Sequence, residues 1–188
     1  MKKILIGVVG LVLLIGILLV GPYNNLVTKS QAVSAQWGQV ENQFQRRYDL
    51  VPNLVNAVQG VMNQEKEVFG MIAEARTRYS GAATQDQKVE AAGQFESALG
   101  RLLVIMENYP QLRSNENVTA LMDELAGTEN RISVERKRYN DTVGDYNLLV
   151  TRIPGVLYAR LFGYNAKPYF QAASGAEKAP EVKLNETK

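Results

Sequence analysis

The sequence predicts an all-α protein, with an N-terminal transmembrane helix followed by an elongated antiparallel bundle of long helices. Three observations carry this reading. An uncharged run from Ile4 to Val20, rich in Leu, Ile and Val, follows Met1-Lys2-Lys3. From Val33 onward apolar residues recur with a mean spacing of about 3.6, the period of an amphipathic helix. No segment shows strand alternation or hairpin turn chemistry.

At the helical rise the apolar run reaches about 26 Å, close to the roughly 30 Å hydrocarbon layer of a bilayer. Residues 1–22 are therefore expected to form a transmembrane anchor that meets the lipid bilayer through residues 4–20. A cleaved secretory signal is the competing reading. It fails at Leu19-Val20-Gly21-Pro22-Tyr23, which lacks the small-x-small pattern and carries a proline. Lys2 and Lys3 flank the run on its short side and only Lys29 lies near it on the long side. This asymmetry predicts a single-pass plasma (inner) membrane protein with a cytoplasmic N-terminus and the bulk of the chain outside the cytoplasm. Gly7, Gly10 and Gly16 form no small-xxx-small pair, so the run carries no dimerisation motif.

Beyond the anchor, residues 23–170 read as one helical domain. Val33, Trp37, Val40, Phe44, Tyr48, Val51, Val55, Val58 and Met62 keep one phase that continues through Phe69, Ile72 and Tyr79. One helix over about 25–80 is the simplest reading, kinked near Tyr48 by Pro52. Asp49 as the cap of a fresh helix with Pro52 in its first turn is the alternative, disfavoured by the constant phase. Gly81-Ala82-Ala83-Thr84 breaks the pattern. A second helix, 85–108, turns Val89, Phe95, Leu99, Leu102, Leu103 and Met106 inward and stops at Tyr109-Pro110. A third, 115–152, places Val118, Leu121, Leu125, Ile132, Tyr139, Val143, Tyr146 and Val150 on one face and stops at Ile153-Pro154-Gly155. A short apolar piece follows over 156–170, and the Lys- and Glu-rich tail, 171–188, is expected to be disordered. A first helix of 25–80 would be about 80 Å long, more than the second can cover. Either it folds back near Gly60, or the membrane-proximal half of the stripe from Val33 to Met62 packs on another chain. The second option predicts a homo-oligomer or a complex with another envelope protein.

The missing residue types narrow the chemistry. With no Cys and no His, the chain holds no thiolate nucleophile, Ser-His-Asp triad, phosphorylatable histidine or ordinary zinc site. A formal charge of +2 without a long basic stripe argues against nucleic acid. No catalytic residue, cofactor or metal ligand is expected. Glu65, Glu67 and Glu129 could form a site of oxygen ligands alone, but the Glu-x-x-His pattern of di-iron bundles is impossible here.

Several motifs occur in series. Tyr23-Asn24-Asn25-Leu26-Val27 follows the span, then Arg47-Tyr48-Asp49-Leu50-Val51-Pro52-Asn53-Leu54, then Glu65 and Ala75-Arg76. Glu107-Asn108-Tyr109-Pro110-Gln111-Leu112 comes next, and finally Glu129, Ile132, Arg136, Tyr139-Asn140, Val143 and Tyr146-Asn147. Over roughly residues 1–170 this series resembles the LemA family of bacterial membrane proteins. The resemblance implies a membrane-anchored helical bundle and brings no catalytic mechanism.

Arg47, Asp49 and Asn53 sit around the proline of the first helix, while Glu129, Arg136, Asn140 and Asn147 share one edge of the third. These seven are the candidate polar network. Its sharp reading is a binding site between helices, with two arginines for a carboxylate or phosphate. Its plainer reading is structural: the network answers the backbone carbonyl freed by Pro52 and fixes helix register. The Tyr-Asn pairs at 139–140 and 146–147 are one heptad apart, which favours rings inside and amides at the boundary over a cofactor or glycan platform. Trp37, about 20 Å beyond the span on a helix, is expected in a core or interface. The expected function is a non-enzymatic, membrane-anchored scaffold or adaptor of the bacterial envelope. The alternative is an accessory subunit or substrate presenter for an envelope enzyme such as a membrane protease.

Overall fold

The computed structural model describes residues 2–170, apart from the side chains at 3, 5, 8, 11–15, 17, 18 and 113. The expected disordered tail, 171–188, lies outside the described residues. The architecture is all-helical, in the order α1 (Lys2–Val58), α2 (Lys66–Gly81), α3 (Gln85–Met106), α4 (Pro110–Arg113), α5 (Glu116–Thr151) and α6 (Gly155–Phe162). No strand occurs among the described residues. The apolar run 4–20 forms the first part of α1, whose side chains there are described only in part. No helix of the described residues is long and apolar enough to cross a membrane.

α1 passes both Pro22 and Pro52 without ending. It stops at Val58, so the expected single helix to residue 80 is in fact two. The turn around Gly60 is held by Met62 N–H donating to Val58 O at 2.9 Å and Glu65 N–H to Met62 O at 3.0 Å. The sequence phase hid this break for a physical reason. α1 and α2 face the same core, and the turn residue Met62 is itself fully buried, so the apolar spacing runs through the reversal.

The other boundaries follow local chemistry. Thr84 and Gln87 form a reciprocal capping box at the start of α3. Asn115 Oδ1 accepts from the N–H groups of Asn117 (3.0 Å) and Val118 (3.3 Å) at the start of α5. Gly163 ends α6 in the left-handed region, φ 75°. Gly155 is required by close approach: a Cβ there would lie 2.0 Å from the Leu149 carbonyl oxygen.

α5 runs antiparallel to α1, as the ion pairs Lys29–Asp145 (2.9 Å) and Arg46–Glu124 (2.7 Å) show. α2 and α3 form an antiparallel hairpin, with Arg78 against Gln94 and Met71 against Arg101. Two tiers result. In the distal tier α1, α2, α3 and α5 enclose Phe44, Tyr48, Phe95 and Ile132. In the proximal tier α1 is covered by the second half of α5, by α6 and by the extended segment 164–170. This overturns the idea that the stripe from Val33 needs a second chain. Val33, Val40 and Phe44 are buried within the molecule, because a helix of 36 residues, α5, is long enough to line α1 in both tiers. Each such side chain contributes about 1.5–3 kcal/mol of burial.

Candidate functional site

Arg47 is the one charged residue in the core among the described residues. It points from α1 toward α5, and its Nη1 donates to Glu129 Oε2 at 2.8 Å. Nη2 donates to the Ala92 carbonyl of α3 at 3.4 Å. The guanidinium lies 5.4, 5.9 and 5.5 Å from the rings of Phe44, Tyr48 and Phe95. A cation among aromatic faces recovers part of the hydration it loses. The pair is lopsided: the Arg47 side chain is 1% exposed and that of Glu129 is 42% exposed. Arg47 Nε and the Tyr48 hydroxyl are buried without a hydrogen-bond partner. Burial pushes the Tyr48 phenol up to about 12, against the opposing pull of the Arg47 and Arg136 charges. Tyr79, packed 4.3 Å from the Tyr48 ring, is raised further, first by burial and then by Tyr48 and Glu41.

Arg136 occupies the next turns of α5. Its Nη2 reaches Glu96 Oε2 at 3.4 Å, and its guanidinium lies 4.6 Å from the Phe170 ring and 5.4 Å from Phe44. Arg47, Glu129 and Arg136 therefore flank one aromatic layer, Phe44-Tyr48-Phe95, extended by Phe170 and Tyr79.

Asn140 and Asn147 do something different. Asn140 Nδ2 donates to Phe170 O at 3.0 Å, and Asn140 Oδ1 accepts from Phe170 N–H at 2.7 Å. Asn147 makes the same two-point contact with Lys167, at 2.8 Å each way. Each side-chain amide thus presents one donor and one acceptor to one backbone residue, as a neighbouring strand would. Immediately before each asparagine in α5, and turned toward the core, Tyr139 and Tyr146 donate to Pro168 O (3.4 Å) and Asn165 O (2.8 Å). Lys167 Nζ crosses to α1 and bonds Ser30 O (3.3 Å) and Ser30 Oγ (3.2 Å) over the Tyr146 ring, and burial lowers its pKa. Segment 164–170 is a strap laid along the groove between α1 and α5. Trp37 packs half-buried beneath it, 5.6 Å from Tyr139 and 6.4 Å from Phe170.

Of the seven candidates, the structure brings Arg47 and Glu129 into one pair and sets Arg136 beside them. Asn140 and Asn147 lie further along α5 and bond the strap. Asp49 and Asn53 are exposed on α1; Asp49 accepts from Gln45 at 2.9 Å. The second acceptor of Arg47 is Ala92 O, not the carbonyl freed by Pro52. The strap itself was missed by sequence reasoning. Its one signal was the Lys-Pro-Tyr-Phe stretch, extended by its proline and apolar at its end, opposite two boundary asparagines.

Chemically this arrangement grips backbone and buries a cation. Among the described residues no three acidic side chains converge. Glu65, for instance, accepts from Tyr109 O–H at 3.2 Å, which ties the start of α2 to the end of α3. An open groove of about 350 Å³ between α2 and α3 is lined by Met71, Glu74, Arg78, Gln94, Ser97 and Arg101, with Arg78 already paired to Glu74 at 2.6 Å.

Comparison with known proteins gives two findings. The model of the LemA family matches residues 36–184. Magnetosome proteins MamQ 2 and MamQ 1 of Paramagnetospirillum magneticum (strain ATCC 700264 / AMB-1) are each 29% identical over 175 residues, covering 79% of this chain. The chain spans 64% of their length. Magnetosome protein MamQ of Magnetospirillum gryphiswaldense is 28% identical over 191 aligned positions, covering 88% of this chain and 70% of that protein.

Proposed function

The chain belongs to the LemA family, and from that premise we propose that it is a membrane-anchored, non-enzymatic helical scaffold or adaptor of the bacterial envelope. In this reading residues 4–20 hold it in the inner membrane with the N-terminus in the cytoplasm, and the two-tier bundle presents its distal end to another membrane protein. The observation that carries the reading is the continuity of α1. One helix, Lys2–Val58, leads from the apolar run into the centre of both tiers, so the bundle is an extension of the anchor rather than a domain on a linker. Its strongest polar groups are spent internally, Arg47 on Glu129 and the two asparagines on the strap, which favours a structural over a catalytic role. Burial of Val33, Val40 and Phe44 removes the exposed stripe as a reason for self-association, so a heterologous partner is the preferred form.

The test is topological. A single cysteine in this Cys-free chain, Ser174→Cys, should react with an impermeant maleimide on spheroplasts, and the protein should resist extraction by alkaline carbonate. Reaction only after permeabilisation would reverse the orientation, and release by carbonate would remove the anchor.

A further inference from the structure

We propose that α6 and the turn before it form a second membrane contact, an amphipathic foot that lies in the headgroup layer of an anionic bilayer. The proposal rests on the reading of residues 4–20 as the anchor. α6 packs on the bundle through Gly155 and Ala159, both buried. The opposite side carries Ile153, Leu157 and Leu161, which are 83%, 62% and 64% exposed. Leu157 and Leu161, four apart on α6, form a ridge where a water-facing helix would carry polar residues, and Ile153 in the preceding turn adds to the exposed apolar surface.

Position says what covers this ridge. The antiparallel register of α1 and α5 brings the end of α5 level with the point where α1 leaves the apolar run. The Phe162 ring packs edge-on against Tyr23 at 4.9 Å, three residues beyond Val20. The ridge is therefore held at the level where the anchor emerges from lipid. Leu148 near the end of α5 and Val20 at the end of the apolar run are exposed as well.

Charge names the kind of bilayer. No acidic residue occurs between Asp145 and Glu177, a stretch holding Arg152, Arg160 and Lys167, nor on α1 before Glu41. Arg152 and Arg160 are exposed and make no ion pair among the described residues. Apolar side chains that dip below arginines reaching to phosphate are the pattern of an interfacial helix. With the anchor holding α6 at the surface, weak contacts suffice, because the second contact is intramolecular in effect.

The experiment uses full-length single-Cys variants carrying an environment-sensitive fluorophore. They are reconstituted in vesicles of equal parts phosphatidylcholine and phosphatidylglycerol, brominated either near the headgroup or deep in the acyl chains. Leu157→Cys is expected to be quenched several-fold more by the shallow bromines than Ser97→Cys on α3. That quenching should fall when phosphatidylglycerol is omitted, or when Arg152→Gln and Arg160→Gln are added. Leu157 is exposed, so its substitution leaves the core untouched. Val9→Cys reports the anchor separately, through the deep bromines. A quenched Val9 label with an unquenched Leu157 label would overturn the foot and leave the anchor standing. Loss of quenching at both would overturn the anchor, and the foot with it. A Leu157 label open in vesicles yet shielded in native membranes would assign the ridge to a protein and overturn the lipid proposal.

Discussion

Glu129→Ala is the most informative perturbation of the core, because it strands Arg47. Breaking a buried ion pair by removing one partner costs about 3–5 kcal/mol, and a hydrogen bond to a charged group alone contributes about 1.5–3 kcal/mol. Here the carboxylate is 42% exposed, so water already screens part of the attraction. Three rings and the Ala92 carbonyl also stay with the guanidinium after the substitution. An expected loss of about 3 kcal/mol corresponds to a midpoint lowered by roughly 6–12 °C in a chain of this size. Arg47→Met behaves differently. It removes the charge and keeps most of the volume, and replacing buried ion pairs by apolar groups is often neutral or stabilising. Glu129 then merely faces solvent. Arg47→Met should melt within about 1 kcal/mol of wild type, and combining it with Glu129→Ala should recover most of the loss. The assay is thermal melting of full-length protein in mild detergent, followed by helical circular dichroism and by Trp37 fluorescence. If Glu129→Ala and Arg47→Ala both melt like wild type while an in-cell function is lost, the pair is a binding site and the structural account of it is wrong.

Three further outcomes follow from the geometry. Asn147→Ala should release Lys167 and raise hydrogen exchange at its backbone N–H, and Asn140→Ala should do the same at Phe170; unchanged protection would mean the strap is held by other contacts. Tyr48→Phe removes a buried hydroxyl without a partner and should be neutral or stabilising by about 1 kcal/mol. The raised Tyr48 pKa means that the unfolded chain ionises first, so its contribution to stability is intact below pH 10 and lost as pH climbs toward about 12; Tyr48→Phe should flatten that decline, and an unchanged alkaline midpoint would refute this. Gly155→Ala drives a Cβ into the Leu149 carbonyl and should cost about 1–3 kcal/mol as overpacking, read as a lower melting midpoint with the loss of Tyr23–Phe162 contact.

Much of this fold was legible in the sequence because amphipathic helices write their period into it. Most large inward residues of α3 and α5, among them Phe95, Leu99, Leu102, Ile132 and Val150, are those the spacing singled out, while Val89, Leu103 and Leu121 are only half-buried and the small buried residues Ala91, Ala92, Ala98 and Thr128 escaped it. The stops at Tyr109-Pro110 and Ile153-Pro154-Gly155 are backbone chemistry. The α1–α2 reversal left no mark in the apolar period, because its middle residue, Met62, is also core; only the length of the helix, which left a fold-back near Gly60 as one of two options, pointed to it. At the site, Arg47, Glu129 and Arg136 were visible as polar residues beside an apolar stripe. The strap was not, because an extended segment held through its backbone by Asn140 and Asn147 has no side-chain pattern of its own. Asp49 and Asn53 belong to the same motif as Arg47 but fall on another face of α1, which sequence adjacency does not distinguish. With Val33, Val40 and Phe44 buried within the molecule, a charge at this stripe, as in Val40→Glu, is a perturbation of folding rather than of assembly.

The scaffold reading is tested most directly by crosslinking in living cells. Full-length tagged protein at native abundance, carrying a photoreactive residue at exposed positions of the distal tier such as Val61 or Val104, would be irradiated and its adducts identified by mass spectrometry. The account predicts a position-dependent adduct with an envelope membrane protein, one that persists in Arg47→Met and is lost when Glu129→Ala loosens the bundle. A strictly monomeric chain with no adduct at any distal position would contradict it and return the exposed carboxylates to consideration.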